Sequence, residues 1–311
     1  MSAGALLAGF AADLLAGDPR RGHPVAGFGQ LALAAERRVY APSRLRGTLF
    51  CGVFVGGAAV FGELLARRVG RARALAIVGW AALGGRSLVG VAGDLEKLLR
   101  AGDLAAARAG LPALVGRDPS ALDERGVARA VVESVAENTG DAVVGPLVWG
   151  AALGPAGVCA FRAANTLDAM VGHRSSRYAE FGWAAARLDD LMAWPAARIG
   201  ALLACACAPL VAGSPRRALA VLRRDGAAHP SPNAGRLEAA FAGALGIRLG
   251  GTLRYGDREE RRPSLGDGPP PAICDIARAR RLSRAVGVSA ALLASAGRKV
   301  RLATLSSGAF R

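Results

Sequence analysis

The sequence predicts a mainly α-helical, multi-helix integral membrane protein with broken or re-entrant apolar segments and polar helical loops. Of its 311 residues, 52% are hydrophobic and only 21% are charged, which excludes a disordered chain. A mean hydropathy of +0.29 accompanies a net charge of +16. Apolar spans with basic flanks combine these two properties, whereas nucleic-acid-binding proteins are usually basic and polar. We therefore expect one membrane-embedded domain over residues 1–311, with a flexible polar loop at 256–272 and no nucleic acid as partner.

Four nearly uncharged stretches approach the ~20 residues that cross the ~30 Å hydrocarbon layer of a bilayer. They are residues 48–65, 74–92, 142–164 and 195–213, and a shorter apolar stretch follows at 286–297. Their Ala and Gly content permits close helix packing in a membrane, but buried helices of a soluble Ala-rich protein are the alternative. Residues 1–17 lack the basic start and the cleavage site of a signal peptide, so we expect a retained helix on or in the membrane.

The stretch 142–164 is interrupted by Gly154-Pro155-Ala156-Gly157. Proline removes a helix hydrogen bond and glycine ends helices, so we expect two half-helices that are each too short to span a bilayer alone. A single crossing would place the flanking polar segments on opposite membrane faces. A hairpin would bring them together, and we favour the hairpin.

The middle of this basic protein is locally acidic. Residues 94–141 carry nine acidic and six basic side chains, and Glu133, Glu137 and Asp141 are spaced i, i+4 and i+8. On a helix these acids share one face, where stacked carboxylates without a Lys or Arg partner repel one another. The stack therefore indicates a bound cation, with Asn138 as a polar neighbour.

A second polar cluster lies between residues 162 and 198. Acids, amides and arginines recur there at short helical spacings, at Asn165, Asp168, Arg187, Asp189, Asp190, Trp194 and Arg198. Such groups at the ends of apolar segments are costly unless they are paired or functional. A ligand site and a structural ion-pair network at the membrane interface both explain them.

Nucleotide binding through a P-loop is excluded, because Lys97 and Lys299 are the only lysines and neither lies in a G-x-x-x-x-G-K context. The five cysteines lack the spacing of a metal site or a disulfide framework. In the loop before residue 234, Ser231 or Asn233 could cap the helix that follows.

Ordered motifs extend along nearly the whole chain. In the first half they are Gly17-Asp18-Pro19, His23-Pro24-Val25, Val115-Gly116-Arg117-Asp118, Leu122-Asp123, and Val132-Glu133-Ser134-Val135-Ala136-Glu137-Asn138-Thr139 with Asp141. In the second half they are Ala164-Asn165-Thr166-Leu167-Asp168-Ala169-Met170-Val171-Gly172, Phe181-Gly182-Trp183, Ala186-Arg187-Leu188-Asp189-Asp190, Pro195-Ala196-Ala197-Arg198 and Ser231-Pro232-Asn233-Ala234-Gly235. Together these motifs resemble the adenosylcobinamide-phosphate synthase family, the CobD/CbiB family of cobalamin biosynthesis.

The chain departs from the family pattern at a few positions. Ala142 stands where a Gly is expected, Phe161 replaces a Tyr, His173-Arg174 replaces Tyr-Lys, and no Ile separates Trp194 from Pro195. None of these changes removes an acid or an amide, although Arg174 could alter an anion contact.

The resemblance implies an ATP-dependent amide synthesis. The propionate carboxylate of adenosylcobyric acid would join (R)-1-amino-2-propanol O-2-phosphate, giving adenosylcobinamide phosphate. The implied cofactors are ATP and Mg²⁺, the corrinoid is a substrate, and the implied surroundings are membrane lipid and other membrane enzymes of cobalamin assembly. We expect a multi-pass protein of the cell (inner) membrane whose active face is cytoplasmic.

This reaction needs carboxylates near Mg²⁺ and arginines on phosphate groups, which assigns roles to the motif residues. Expected catalytic residues are Glu133, Glu137, Asn138, Asp141, Asn165, Asp168 and Asp190. Expected metal ligands are Glu137, Asp141, Asp168 and Asp189. Substrate and phosphate binding is expected from Asp18, His23, Arg117, Asp118, Arg174, Arg187, Arg198, Ser231 and Asn233.

Two other functions are alternatives. Charged groups and broken helices in a membrane also mark small transporters, and a non-catalytic scaffold of a corrinoid assembly complex is the second alternative. The absence of an inverted sequence repeat and the position of the acids at segment ends argue against transport.

Overall fold

A computed structural model of the protein describes residues 4–19, 22–116, 118–173, 175–255 and 258–308. The fold is mainly helical, as predicted. In this part of the chain the helices are α1 (Gly4–Ala16), α2 (Pro24–Val39), α3 (Arg44–Val69), α4 (Arg71–Ala82), α5 (Gly85–Arg100), α6 (Leu104–Gly110), α7 (Glu124–Thr139), α8 (Gly145–Leu153), α9 (Pro155–Leu167), α10 (Trp183–Cys207), α11 (Pro215–Asp225), α12 (Ala234–Leu245) and α13 (Ile273–Gly308). Short π-helical segments follow α7 and α9, at Gly140–Val144 and Asp168–Gly172.

A β-hairpin replaces most of the predicted polar loop. Strands β1 (Leu249–Tyr255) and β2 (Arg258–Leu265) pair antiparallel, with an irregular register near Gly250 and Gly251, whose φ angles are 79° and 90°. Positive φ at two successive glycines allows the bulge that starts the hairpin. The loop predicted at 256–272 is therefore wrong over β2. Its charged sequence lacks the apolar alternation by which a strand is recognised, and backbone pairing to β1 supplies the order instead.

The chain divides into two compact units, whereas the sequence predicted one domain. Unit 1 comprises Met1–Gly84, Asp141–Ala196 and Ala290–Arg311, and unit 2 comprises Gly85–Gly140 and Ala197–Ser289. Three of the boundaries fall inside helical segments rather than in Pro- or Gly-rich linkers. Composition therefore does not reveal them.

The helices of unit 1 approach one another at glycines. A Cβ on Gly62 of α3 would lie 2.7 Å from the carbonyl oxygen of Pro155, and one on Gly9 of α1 would lie 2.8 Å from that of Ala76. These positions have no room for a side chain. Beside α3, a buried cluster forms the core from Ala32, Phe50, Cys51, Leu167, Val171, Phe181 and Ala185.

The interrupted apolar stretch forms a helical hairpin, which confirms that prediction. Gly154, with a φ of 72°, joins α8 to α9. A Cβ on Gly157 would lie only 2.5 Å from the carbonyl oxygen of Trp149, so the two helices pack closely against each other. With 9 and 13 residues, each is too short to cross a bilayer alone.

Within the described residues, three helical segments are long and apolar enough to cross a membrane: Arg44–Val69, Arg71–Arg100 and Trp183–Val211. They contain the predicted apolar stretches 48–65 and 74–92 and most of 195–213. Along α3, Val53 is 70% exposed and Phe61 is 60% exposed. A long helix with such a face needs a lipid or protein neighbour.

Hydrogen-bonded charge pairs join the elements of unit 2. Arg280 of α13 donates to Glu96 of α5 at 2.9 Å. Asp225 at the end of α11 accepts 2.7 Å from the backbone N–H of Gly266, just after β2, and pairs with Arg224. The hydrogen bond from Arg224 and that from Gly266 hold the pKa of Asp225 below its usual range.

Candidate functional site

The loop after α1 places two predicted residues at the start of α2. His23 caps this helix, because its Nδ1 accepts from the backbone N–H of Val25 at 3.1 Å. Its Nε2 lies 3.5 Å from Oδ1 of Asp18. Both side chains line a cleft of about 630 Å³ in unit 1, together with Arg162 and Thr166.

Arg162 is central to this cleft, although it is not among the predicted site residues. Its guanidinium lies within electrostatic reach of Asp141 and Asp18, and its Nη1 donates to Oδ1 of Asn165 at 3.3 Å. It also lines an adjoining apolar groove of about 550 Å³. A signal was available, because Arg162 is the sole charge in the stretch 142–164 and such charges usually mark function.

The α8–α9 hairpin explains how two distant polar motifs meet. Asp141 precedes α8 and Arg162 lies near the end of α9, and the sharp turn at Gly154 brings these ends together. The expectation that a hairpin unites the flanking polar segments is therefore confirmed for Asp141 and the second cluster.

The carboxylates of α10 complete the cluster in unit 1. Nδ2 of Asn165 donates to Oδ1 of Asp189 at 3.3 Å. The exposed Arg187 lies 3.6 Å from Oδ2 of Asp190. The structure thus brings together eight of the predicted residues: Asp18, His23, Asp141, Asn165, Asp168, Arg187, Asp189 and Asp190.

Asp168 and Asp190 form a like-charge pair. Burial raises the pKa of Asp168 to about 6, the neighbouring carboxylate of Asp190 acts in the same direction, and His173 opposes both. Gly172 lies directly against Oδ1 of Asp168, where a Cβ would overlap the carboxylate. Because Gly172 has no side chain, the carboxylate of Asp168 has room at this position. A cation between the two acids would relieve their repulsion.

Glu133 of helix α7 makes contacts within unit 2. Oε1 of the buried Glu133 accepts from the backbone N–H of Gly250 at 2.9 Å and lies 4.0 Å from Nε of Arg129. Arg129 precedes Glu133 by one turn, so the premise that this face has no basic partner is wrong. Asn138 donates to the carbonyl and the hydroxyl of Ser134, at 3.0 and 3.1 Å. These contacts hold α7 and β1 in place.

The predicted metal ligands belong to both units of the chain. The described ranges contain no cluster of three or more His, Cys, Asp or Glu side chains that could hold a metal ion. Glu137 is exposed in unit 2, whereas Asp141, Asp168 and Asp189 belong to unit 1. Mg²⁺ usually takes one or two carboxylates together with substrate phosphates. A site of that kind does not need a cluster of three protein ligands.

The loop before α12 brings together three predicted residues of unit 2. Nη1 of Arg198 donates to Oδ1 of Asn233 at 2.9 Å. The hydroxyl of Ser231 accepts from the backbone N–H groups of Asn233 and Ala234, at 3.3 and 3.1 Å. Ser231 is thus the residue whose side chain caps this helix.

Three predicted residues remain, of which the structure describes one. Asp118 is exposed in unit 2, and its Oδ1 accepts from the backbone N–H of Ser120 at 2.9 Å in a turn. Arg117 and Arg174 lie outside the described residues.

Comparison with known proteins gives consistent matches. A family model described as CobD/Cbib protein matches residues 6–283. A cobalamin biosynthesis protein CobD from Mycobacterium tuberculosis is 51% identical over 292 residues, which is 93% of each chain. Proteins of the same name from Rhodobacter capsulatus and Geobacter metallireducens are 42% and 43% identical, over 85% and 82% of this chain and 86% and 83% of theirs. No solved structure matches this chain.

Proposed function

This chain belongs to the CobD/CbiB family of cobalamin biosynthesis proteins, and we propose that it is the amide-forming ligase of that pathway. It would join the propionate carboxylate of adenosylcobyric acid to (R)-1-amino-2-propanol O-2-phosphate, with ATP as co-substrate. The observation that carries the proposal is the cluster in unit 1, where Arg162 and Asn165 lie beside the like-charge pair Asp168 and Asp190. It offers donors for a carboxylate and acceptors for an amine.

The chemistry explains why both kinds of group are needed. A carboxylate resists attack by an amine until one of its oxygens becomes part of a good leaving group. Transfer of the γ-phosphoryl group from ATP to that oxygen gives an acyl phosphate and ADP. The neutral amine then attacks the acyl carbon, so the C–N bond forms, the C–O bond to phosphate breaks, and inorganic phosphate and a proton leave.

The residues of the cluster divide this work. Arg162 and Asn165 would hold the carboxylate in place through N–H donors, and Arg187 is an exposed guanidinium beside Asp190 that suits phosphate oxygens. Asp168 and Asp190 would receive the ammonium and accept its proton. Mg²⁺ accompanying ATP would be held by Asp141 and Asp189, the other carboxylates of the cluster, and would neutralise phosphate charge.

We also propose that the protein spans the cell membrane several times, with its active face in the cytoplasm. The three apolar helical segments and the exposed apolar face of α3 support this location. ATP is supplied from the cytoplasm, so that face is the one on which the reaction can run.

One incubation distinguishes the ligase from its two alternatives. Detergent-purified protein is mixed with adenosylcobyric acid, aminopropanol phosphate and Mg-ATP, and the condensed product is sought by mass. A ligase gives product that depends on ATP. Uptake of substrate into vesicles without product would favour a transporter. The absence of both product and uptake would favour the non-catalytic scaffold.

The variant Asp141→Asn tests whether the cluster in unit 1 is the site. Product formation should be abolished while expression is kept, because Asp141 lies within electrostatic reach of Arg162 in the proposed site. The matched control is Asp94→Asn, which removes an exposed carboxylate paired with Lys97 at 2.8 Å. Full activity of Asp141→Asn would remove this residue from the site.

A further inference from the structure

Two arginines of unit 2 lie next to each other, and one of them has a buried hydrogen-bond donor without an acceptor among the described residues. Arg198 and Arg236 lie within electrostatic reach of each other, so two like charges are neighbours. The Nε of Arg236 is buried and has no hydrogen-bond acceptor in the part of the chain that the structure describes. Other arginines of unit 2 bond directly to acids, with distances of 2.6 Å for Arg224 to Asp225, 2.7 Å for Arg278 to Asp275 and 2.9 Å for Arg280 to Glu96.

The start of α12 adds a third positive element. Arg236 lies in the first turn of this 12-residue helix, where the positive end of the helix dipole favours an anion. Asn233 occupies the cap position, but it makes no side-chain cap and turns its Oδ1 to Arg198 instead. Its contact therefore orients one of the two arginines beside this helix end.

We propose that Arg198, Arg236 and the first turn of α12 form a binding site for a phosphate group. A phosphate offers several acceptor oxygens and negative charge, so it satisfies the buried Nε–H of Arg236 and removes the repulsion between the two guanidinium groups. The identity of the phosphate rests on the proposed function, which supplies two sources, ATP and the amino-alcohol phosphate. The arginine pair itself does not rest on that function.

The geometry makes a prediction that separates ligand binding from a structural role. A buried donor without an acceptor, beside a like charge, costs stability in the ligand-free protein. Arg236→Met keeps the apolar stem and removes the charge. The ligand-free variant should therefore unfold at the same temperature as the wild type or a few degrees higher, whereas loss of a structural residue would lower the unfolding temperature.

Thermal unfolding of the full-length protein in detergent tests the site, with inorganic pyrophosphate as the probe. Saturating pyrophosphate should raise the Tm of the wild type by several degrees, because a ligand that binds the folded state stabilises it. Arg236→Met should lose most of this rise. The matched control is Arg223→Met, at an exposed arginine of α11, and it should keep the full rise.

Each other outcome has a stated meaning. If Arg236→Met keeps the full rise, or lowers the ligand-free Tm by more than the control does, the site is rejected. If Arg236→Met cannot be purified, Arg236→Lys is the test variant. Lysine keeps the positive charge but lacks the planar guanidinium with its several N–H donors, so this variant should need at least tenfold more pyrophosphate for the same rise in Tm. An unchanged requirement in Arg236→Lys rejects the site.

Parallel titrations identify which phosphate the site takes. ATP and aminopropanol phosphate replace pyrophosphate in turn, and the natural ligand is the one whose effect on Tm depends on Arg236. A pyrophosphate effect that needs Arg236, without any amide product, would reject the proposed reaction and keep the site. Product formation that is unaffected in Arg236→Met, with the pyrophosphate effect intact, would reject the site and keep the reaction.

Discussion

Unit 1 and unit 2 both contain like charges held next to each other, but of opposite sign. In unit 1 the carboxylates of Asp168 and Asp190 are neighbours, and in unit 2 the guanidinium groups of Arg198 and Arg236 are neighbours. Opposite-charge pairs such as Arg280 with Glu96 instead join helices. The difference teaches that paired opposite charges hold this fold together, while like charges lower its stability and suit ligands of the other sign. Unit 1 would take an amine or Mg²⁺, and unit 2 a phosphate.

The largest expected effect tests the acidic pair. Asp168→Asn should lower the rate of product formation by at least ~100-fold, because it removes an acceptor for the proton of the amine. Its Tm should not fall, since the change relieves repulsion with Asp190. Product measured by mass under saturating substrates decides, and Asp94→Asn should retain full activity. A large fall in Tm with unchanged activity would place Asp168 among the structural residues.

The second prediction concerns an opposite-charge contact. Glu133→Ala should destabilise the protein by about 1–3 kcal/mol, because it leaves the backbone N–H of Gly250 without its buried acceptor and removes the carboxylate that lies 4.0 Å from Nε of Arg129. Product formation by the folded fraction should fall by less than ~10-fold. Thermal unfolding beside the activity assay measures both. Loss of activity at unchanged Tm would restore the catalytic role that the sequence predicted for Glu133.

The smallest effect is a pH dependence of stability. The pKa of Asp168 is about 6 when the protein is folded, above its ordinary value of 3.8. Between these pH values the folded state holds more protons than the unfolded state, so its stability falls as pH rises through this window. The effect is on the order of 1 kcal/mol after screening by solvent.

Tm measured from pH 4 to pH 7, without Mg²⁺ or substrates, shows this effect as a difference between two proteins. The difference in Tm, Asp168→Asn minus wild type, should increase as pH rises. A constant difference across the range would show that Asp168 does not titrate in this window.

Local signals in the sequence predicted most of the helical fold. Pro155 and its neighbouring glycines interrupt an apolar stretch, and the physical rule that ends a helix there also predicts the hairpin. The hairpin of β1 and β2 was not predicted, because its strands lack apolar alternation and depend on the positive φ of Gly250 and Gly251. The boundaries of the two compact units have no signal in the composition either, since three of them lie inside helical segments.

Residues of the candidate site were predicted where polar side chains recur at helical spacing along one helix. Asn165 and Asp168 are such a pair, and both lie in the cluster of unit 1. Spacing was misleading for Glu133, because Arg129 one turn earlier provides the missing partner. Arg162 was not predicted although it is the sole charge in the stretch 142–164, and its acidic neighbours Asp18 and Asp141 are distant in sequence. Arg236 was not predicted because its importance lies in a buried Nε that has no acceptor among the described residues.

The central claim is that this protein activates a carboxylate with ATP before the amine attacks. The most direct measurement uses adenosylcobyric acid whose propionate carboxylate carries heavy oxygen, together with aminopropanol phosphate and Mg-ATP. Mass analysis should find one labelled oxygen in inorganic phosphate for each amide formed. Label in AMP would contradict the acyl phosphate, and product without label in any phosphate would contradict activation by ATP.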